Sequence, residues 1–119
     1  MKYMLLIHQG DTPTPRDPEA WARLPEDEQK AVYADYQALN QTPGVTPGLG
    51  LDAPETATTV RVEDGKTLTT DGPFVAVKEA LGGYLFFEAD DIDAAIELAA
   101  RIPAARLGGA VEVRPIQEW

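Results

Sequence analysis

Cysteine is absent from this sequence and histidine occurs once, as His8, and each shortage removes whole classes of chemistry. Without thiols there is no disulfide, no thiolate zinc site, no iron–sulfur ligation and no cysteine nucleophile. One imidazole per subunit cannot build a multi-histidine metal site. Basic residues are scarce too: 10 Lys and Arg face 20 Asp and Glu, a formal net charge of −10. Such a surface repels phosphates, which argues against nonspecific binding to DNA, RNA or anionic membranes. It suits either plain solubility or a basic protein partner. No apolar run approaches the roughly 20 residues that span a bilayer. The opening run Tyr3–Ile7 is also too short, and its flank too weakly basic, for a secretory signal. The expected location is the cytoplasm.

What is present fits a single domain over residues 1–119: that length supports one core, and 44% apolar residues is ordinary for a globular chain. Tyr3–Ile7 is a continuous apolar run, the pattern of a covered strand. Gly10 to Pro18 collects Gly, Asp, Thr and prolines and reads as a loop, with Trp21 packing on the start of the helix that follows. That helix is expected to begin near Leu24-Pro25, with Glu26, Asp27 and Glu28 in its first turn. Its buried stripe is Val32, Tyr36 and Leu39, with Tyr33 beside them, and Thr42-Pro43-Gly44 stops it. The Pro- and Gly-rich stretch from Thr42 to Pro54 reads as a surface loop with a short extended piece around Leu49 to Leu51.

Thr56 to Glu63 alternates and is β-branched, and Asp64-Gly65 then links it to Lys66–Thr70 as a two-residue hairpin loop. In that register Arg61 opposes Leu68 and Val60 opposes Thr69. Gly83–Glu88 is an aromatic strand, with Tyr84 and Phe86 on one face and Leu85 and Phe87 on the other, hence central in its sheet. Asp90, Asp91 and Asp93 open a second helix whose apolar face is read as Ile92, Ala95, Ile96 and Ala99, and which Pro103 ends. A last strand is Val111–Arg114. The resulting plan is an α+β, ferredoxin-like βαββαβ sandwich with an extra hairpin strand. Two helices cover one sheet face, and a bare opposite face carrying Tyr84 or Phe86 calls for a self-complementary dimer.

The stretch Thr69-Thr70-Asp71-Gly72-Pro73-Phe74 lies between the two halves of this plan. Together with Met1–Ile7, Glu55–Arg61, Lys78–Tyr84, Ala99–Pro103 and Val111–Ile116, it resembles the DGPF branch of the YCII-related domain family. The likeness runs from Met1 to Trp119 and is weakest between Gln9 and Pro54. It implies a dimeric α+β barrel, two sheets packed face to face around a pocket, and hence a homodimer. It also implies either a small enzyme or a regulatory role beside an extracytoplasmic-function sigma factor. Enzymatic relatives pair a histidine in the first helix with an aspartate. Here that helix has no histidine and His8 stands at the end of the first strand, so of the dyad only Asp71 matches.

The candidate residues divide accordingly. Asp71 is read as a general base or ligand contact, or else as a turn cap accepting nearby N–H groups. His8 is read as its acid–base partner, or else as a strand-end histidine facing solvent. Arg61, Gly72, Phe74, Tyr84 and Phe86 are the expected ligand-binding residues, Arg61 reaching either an anionic ligand or solvent. Lys78-Glu79 reads as a surface pair. Glu88, Asp90, Asp91 and Asp93 lack the spacing of a calcium loop, and Gly82-Gly83 leads into a strand rather than a helix, so no metal or cofactor is expected. Two functions follow. One is a homodimeric ligand-binding or regulatory accessory domain with a pocket near Asp71, Phe74, Tyr84 and Phe86. The other is a cofactor-free lyase or isomerase on an aromatic-derived acid, with Asp71 as base and His8 or Arg61 in support; it requires His8 within about 3 Å of Asp71 or of a shared ligand.

Overall fold

The computed structural model describes residues 1–72 and 81–118. Strict alternation sets the first strand, β1 (Lys2–His8): Tyr3, Leu5 and Ile7 are buried, while Met4, Leu6 and His8 are half-buried on the other face. The loop behind it ends earlier than its composition suggests. Asp17-Pro18-Glu19 starts a short helix, α1 (Pro18–Arg23), because Asp17 Oδ1 accepts the Ala20 N–H at 3.2 Å and Pro18 needs no N–H partner there. Trp21 therefore sits within a helix rather than ahead of one. Its ring meets Tyr33 of α2 (Glu26–Gln41) edge-on, with centroids 5.6 Å apart. The Gln29 side-chain amide ties the two helices by donating to the carbonyls of Trp21 and Leu24.

The segment after α2 departs from expectation. Instead of a surface loop it forms β2 (Val45–Gly50), hydrogen-bonded to β5 (Leu81–Glu88). Prolines and glycines discourage a central strand, but an edge strand bonds on one side only and tolerates Pro47, which has no N–H to give. Backbone pairing with β5 overrides the local composition. The hairpin β3 (Thr58–Glu63) and β4 (Lys66–Asp71) has the expected register, Arg61 opposite Leu68 and Val60 opposite Thr69. Asp64 and Gly65 turn it with φ of 51° and 75°, the left-handed values a two-residue loop needs. It is not, however, a strand pair of the main sheet. β2 occupies the place beside β5, and the hairpin forms a separate two-stranded sheet with Val60, Val62 and Leu68 exposed.

The last helix, α3 (Ile92–Ala100), is capped by Asp91, whose Oδ1 accepts the Ala94 N–H at 2.9 Å. Its buried face is Ala95, Leu98 and Ala99, while Ile92 and Ile96 stay exposed. The face is rotated from the expected one because Leu98 reaches the core alongside Ile102. With β6 (Ala110–Pro115) the main sheet has the order β2-β5-β1-β6, antiparallel at every pairing. Leaving aside α1 and the hairpin, the chain runs β-α-β-β-α-β, and the α+β class stands. Helices and buried strand residues share one core, in which Leu5, Leu39 and Ile102 are wholly enclosed. The opposite sheet face carries Met4, Leu6, Tyr84 and Phe86. The slab is 18 Å thin against 51 × 42 Å.

Leu39 links α2 to this core with no solvent exposure. Leu39→Ala should therefore cost about 2–5 kcal/mol in urea-monitored unfolding; a loss below about 1 kcal/mol would mean α2 packs more loosely than this.

Candidate functional site

Two irregularities in the ladder converge on the N-terminal end of β5. On its β1 side the register slips between Ile7 and His8, so that Ile7 faces Gly83 but His8 faces Leu81, leaving Gly82 as the extra residue. On its β2 side the register slips between Pro47 and Gly50, which places Gly48 and Leu49 outside the pairing. Such bulges bend strands and re-aim what they carry. Here they leave a cleft of about 290 Å³ between the sheet, the loop that follows β1 (chiefly Thr12 to Arg16) and the helices α1 and α2. Gly48, Gly50, Gly82 and Gly83 line it. A methyl on Gly48 would collide with the Tyr84 carbonyl, which bars a side chain there, and one on Gly82 would force the Gln9 side chain to move.

The walls are mixed. Ile7, Val32 and Leu85 give apolar surface, Trp21 and Tyr36 give rings, and Gln9, Thr12, Asn40 and Arg16 give polar groups. Thr12 Oγ1 is buried and has no hydrogen-bond partner among the described residues. The Arg16 guanidinium leans over Gly50, with Nη2 3.8 Å from where a side chain there would begin. Burial lifts the Tyr36 hydroxyl above its ordinary value of 10.0, because the phenolate would lose its water.

The residues singled out from the sequence are dispersed. Tyr84 borders the cleft, and its ring meets Phe86 edge-on at 5.9 Å. Phe86 lies on the sheet face opposite the helices, with Lys2 Nζ 5.6 Å from its ring centroid. His8 ends β1 on that same face, with Nε2 3.1 Å from Glu112 Oε1. Asp71 and Arg61 belong to the other sheet, Asp71 opposite Thr58 at the end of β4 and Arg61 opposite Leu68. Both are exposed. Gly72 follows at φ 99°, a backbone setting suited to glycine, and its N–H donates to the Ala57 carbonyl at 2.6 Å. The Thr59 hydroxyl closes the same turn by donating to the Gly72 carbonyl at 2.8 Å. Phe74, Lys78 and Glu79 lie outside the described residues. Sequence reasoning passed over Gln9, Thr12, Arg16, Trp21 and Tyr36 as site residues. One signal was there to read: a proline-stiffened loop directly after a strand, carrying an arginine in a strongly acidic chain.

Tyr36 gives a test of how firmly the cleft wall is built. Its folded pKa is raised, so the unfolded chain ionises first. The stability tied to the neutral phenol is full below about pH 10 and is lost as pH rises through the folded value. Urea midpoints of Tyr36→Phe should accordingly fall less steeply above pH 10 than those of the parent protein. Parallel slopes would show that the hydroxyl is not coupled to folding.

Comparison with known proteins places this architecture. An uncharacterised protein of Rhizobium meliloti is 31% identical over 121 residues, an alignment covering 98% of this chain and 92% of that one. The solved structure of 5-chloro-2-hydroxyhydroquinone dehydrochlorinase from Burkholderia phenoliruptrix, in complex with 2,5-dihydroxybenzoquinone, is similar with a TM-score of 0.50. It covers 100% of this chain and 96% of its own at 16% identity, a likeness of fold alone. The model of the YCII-related domain matches residues 1–119, and the chain belongs to that family.

Proposed function

We propose that this YCII-related protein is a small-ligand-binding domain that works as a homodimer, its ligand held in the cleft at the N-terminal end of β5. The observation that carries the reading is the pair of bulges at Gly48 and Gly82, which open about 290 Å³ beside Arg16, Trp21 and Tyr36. That volume lies at the small end of the range for small-molecule sites. The homodimer is supported by the sheet face opposite the helices. Met4, Leu6, Tyr84 and Phe86 make it apolar, and Lys2, Arg114 and Glu112 put both charge signs at its margin. A second copy rotated by a two-fold axis would cover it. Assignment to the DGPF branch is part of the same proposal and rests on Thr70-Asp71-Gly72 and the residues after them. A cytoplasmic location and a sigma-factor partner are in keeping with this role, but no feature of the described residues points to either.

A second reading is a cofactor-free lyase or isomerase with Asp71 as general base. What favours it is that the similar fold named above is that of a dehydrochlorinase. The position of Asp71 weighs against it, since an exposed carboxylate on the hairpin lacks the apolar walls that would make it a base near neutral pH.

Native mass spectrometry of the protein from its own source tests the proposal. The expected species is a dimer carrying a small molecule, with Phe86→Glu giving a monomer of unchanged circular dichroism. A monomeric parent protein would overturn the dimer. An empty cleft that takes up no compound from a broad small-molecule screen would overturn the binding role. Asp71→Asn should leave ligand uptake unchanged; loss of a turnover found in the parent protein would favour the enzyme instead.

A further inference from the structure

Resting on the cleft as a ligand site, we propose that its ligand is a small aromatic anion, the charged group against Arg16 and the ring between the sheet and the Trp21–Tyr36 wall. Arg16 carries the charge. Three other arginines are engaged: Arg106 with Glu28 and Asp35, each at 2.8 Å, Arg114 with Glu112 at 3.8 Å, and Arg101 with the Thr42 hydroxyl at 3.2 Å. Arg16 has no carboxylate within ion-pair distance among the described residues, although acids outnumber bases two to one. It leans instead over Gly50 at the rim of the cleft. A guanidinium presents paired donors that match a carboxylate, or a single strong contact to a phenolate oxygen.

The other polar groups of the lining, Gln9, Thr12 and Asn40 among them, carry no charge, which leaves Arg16 as its charged side chain among the described residues. The ring follows from the remaining surface. Trp21 meets Tyr33 edge-on, and Tyr36 and Val32 continue the wall. Opposite them the glycines bring bare backbone close, which suits a flat ligand better than a branched one. Among the described residues the lining holds no carboxylate or imidazole, so nothing there repels an anion at short range.

Two-dimensional NMR titration of the full-length protein decides the matter, with benzoate, 4-nitrophenolate, benzamide and cyclohexanecarboxylate as probes and the Trp21 indole and the Gly50 and Gly82 amides as reporters. The expected result is saturable shifts with benzoate or 4-nitrophenolate, binding about tenfold or more weaker for benzamide and cyclohexanecarboxylate, and a similar loss of the anion in Arg16→Gln. Whichever of benzoate and 4-nitrophenolate binds tighter assigns the anion to carboxylates or to phenolates. Benzamide binding in the cleft as tightly as the anions, or an Arg16→Gln protein of undiminished affinity, would overturn the anion assignment and leave the cleft as a ligand site. Cyclohexanecarboxylate matching benzoate would overturn the aromatic part. Reporters unmoved by all four probes would overturn the inference together with the reading of the cleft on which it rests.

Discussion

The main sheet is organised around β5. That strand is bonded on one side to β1 and on the other to β2, and its alternating residues divide the protein into two environments. Leu85 and Phe87 face the helices and share the core with Tyr3, Leu5 and Ile7. Tyr84 and Phe86 face away, onto the opposite sheet face, where the described residues leave both half-buried. Because the side-chain period of a strand is two, a slip by one residue would exchange the two sets. The apolar character of both faces explains why the strand must be central, and the bulges at its N-terminal end explain why its pairing stops being regular where the cleft begins.

The charge balance has a structure of its own. Acids in excess of bases give several cations a short-range partner, Lys30 with Glu26 and Arg114 with Glu112 among them. Arg106, just beyond Pro103–Ala105, binds Glu28 and Asp35 on α2 and so ties the turn after α3 to the other helix. The hydrogen bond to Glu28 is the main cause holding its guanidinium above its ordinary value, with Asp35 adding to it. Both partners are partly exposed, so the pair contributes modestly to stability and more to fixing the helices' relative position. Against that background an arginine that leans over a bulged strand rather than onto an acid is informative.

Much of the fold was legible in local chemistry. The hairpin register follows from Asp64-Gly65, the only short link between Val60–Glu63 and Lys66–Thr69 that twists with the strands. The start of α2 follows from Glu26-Asp27-Glu28, the cap of α3 from Asp91, and the central place of β5 from four consecutive large apolar residues. The misreadings share one cause, which is that partners distant in sequence decided the outcome. Val45–Gly50 has the composition of a loop and became a strand because β5 offered it an unpaired edge. Ile92 and Ile96 have the spacing of a buried stripe, yet Leu98 and Ile102 fill the space first. The candidate site was less legible still. Asp71, Gly72 and Arg61 stand out by motif, but the hairpin that carries them is a sheet apart. The cleft is assembled from Arg16, Trp21, Tyr36 and Gly48, no two of which belong to one sequence motif.

The glycines argue that the cleft is more than an accident of packing. Turn glycines such as Gly65 do what a turn requires and need no further reason. Gly48, Gly50, Gly82 and Gly83 lie inside strands, where glycine surrenders side-chain packing and costs conformational entropy. A β-branched residue at any of them would favour the strand locally, but on Gly48 and Gly82 it would drive into Tyr84 and Gln9. The sheet thus accepts weaker pairing on both sides of its central strand, at the same level. At Gly50, where the nearest atom to a would-be Cβ is Arg16 Nη2 at 3.8 Å, a larger side chain would fit and a regular strand would favour it. A sequence that is locally consistent along the rest of β1 and β5, and breaks the rules of strands only around this opening, has its irregularity where a ligand would require it.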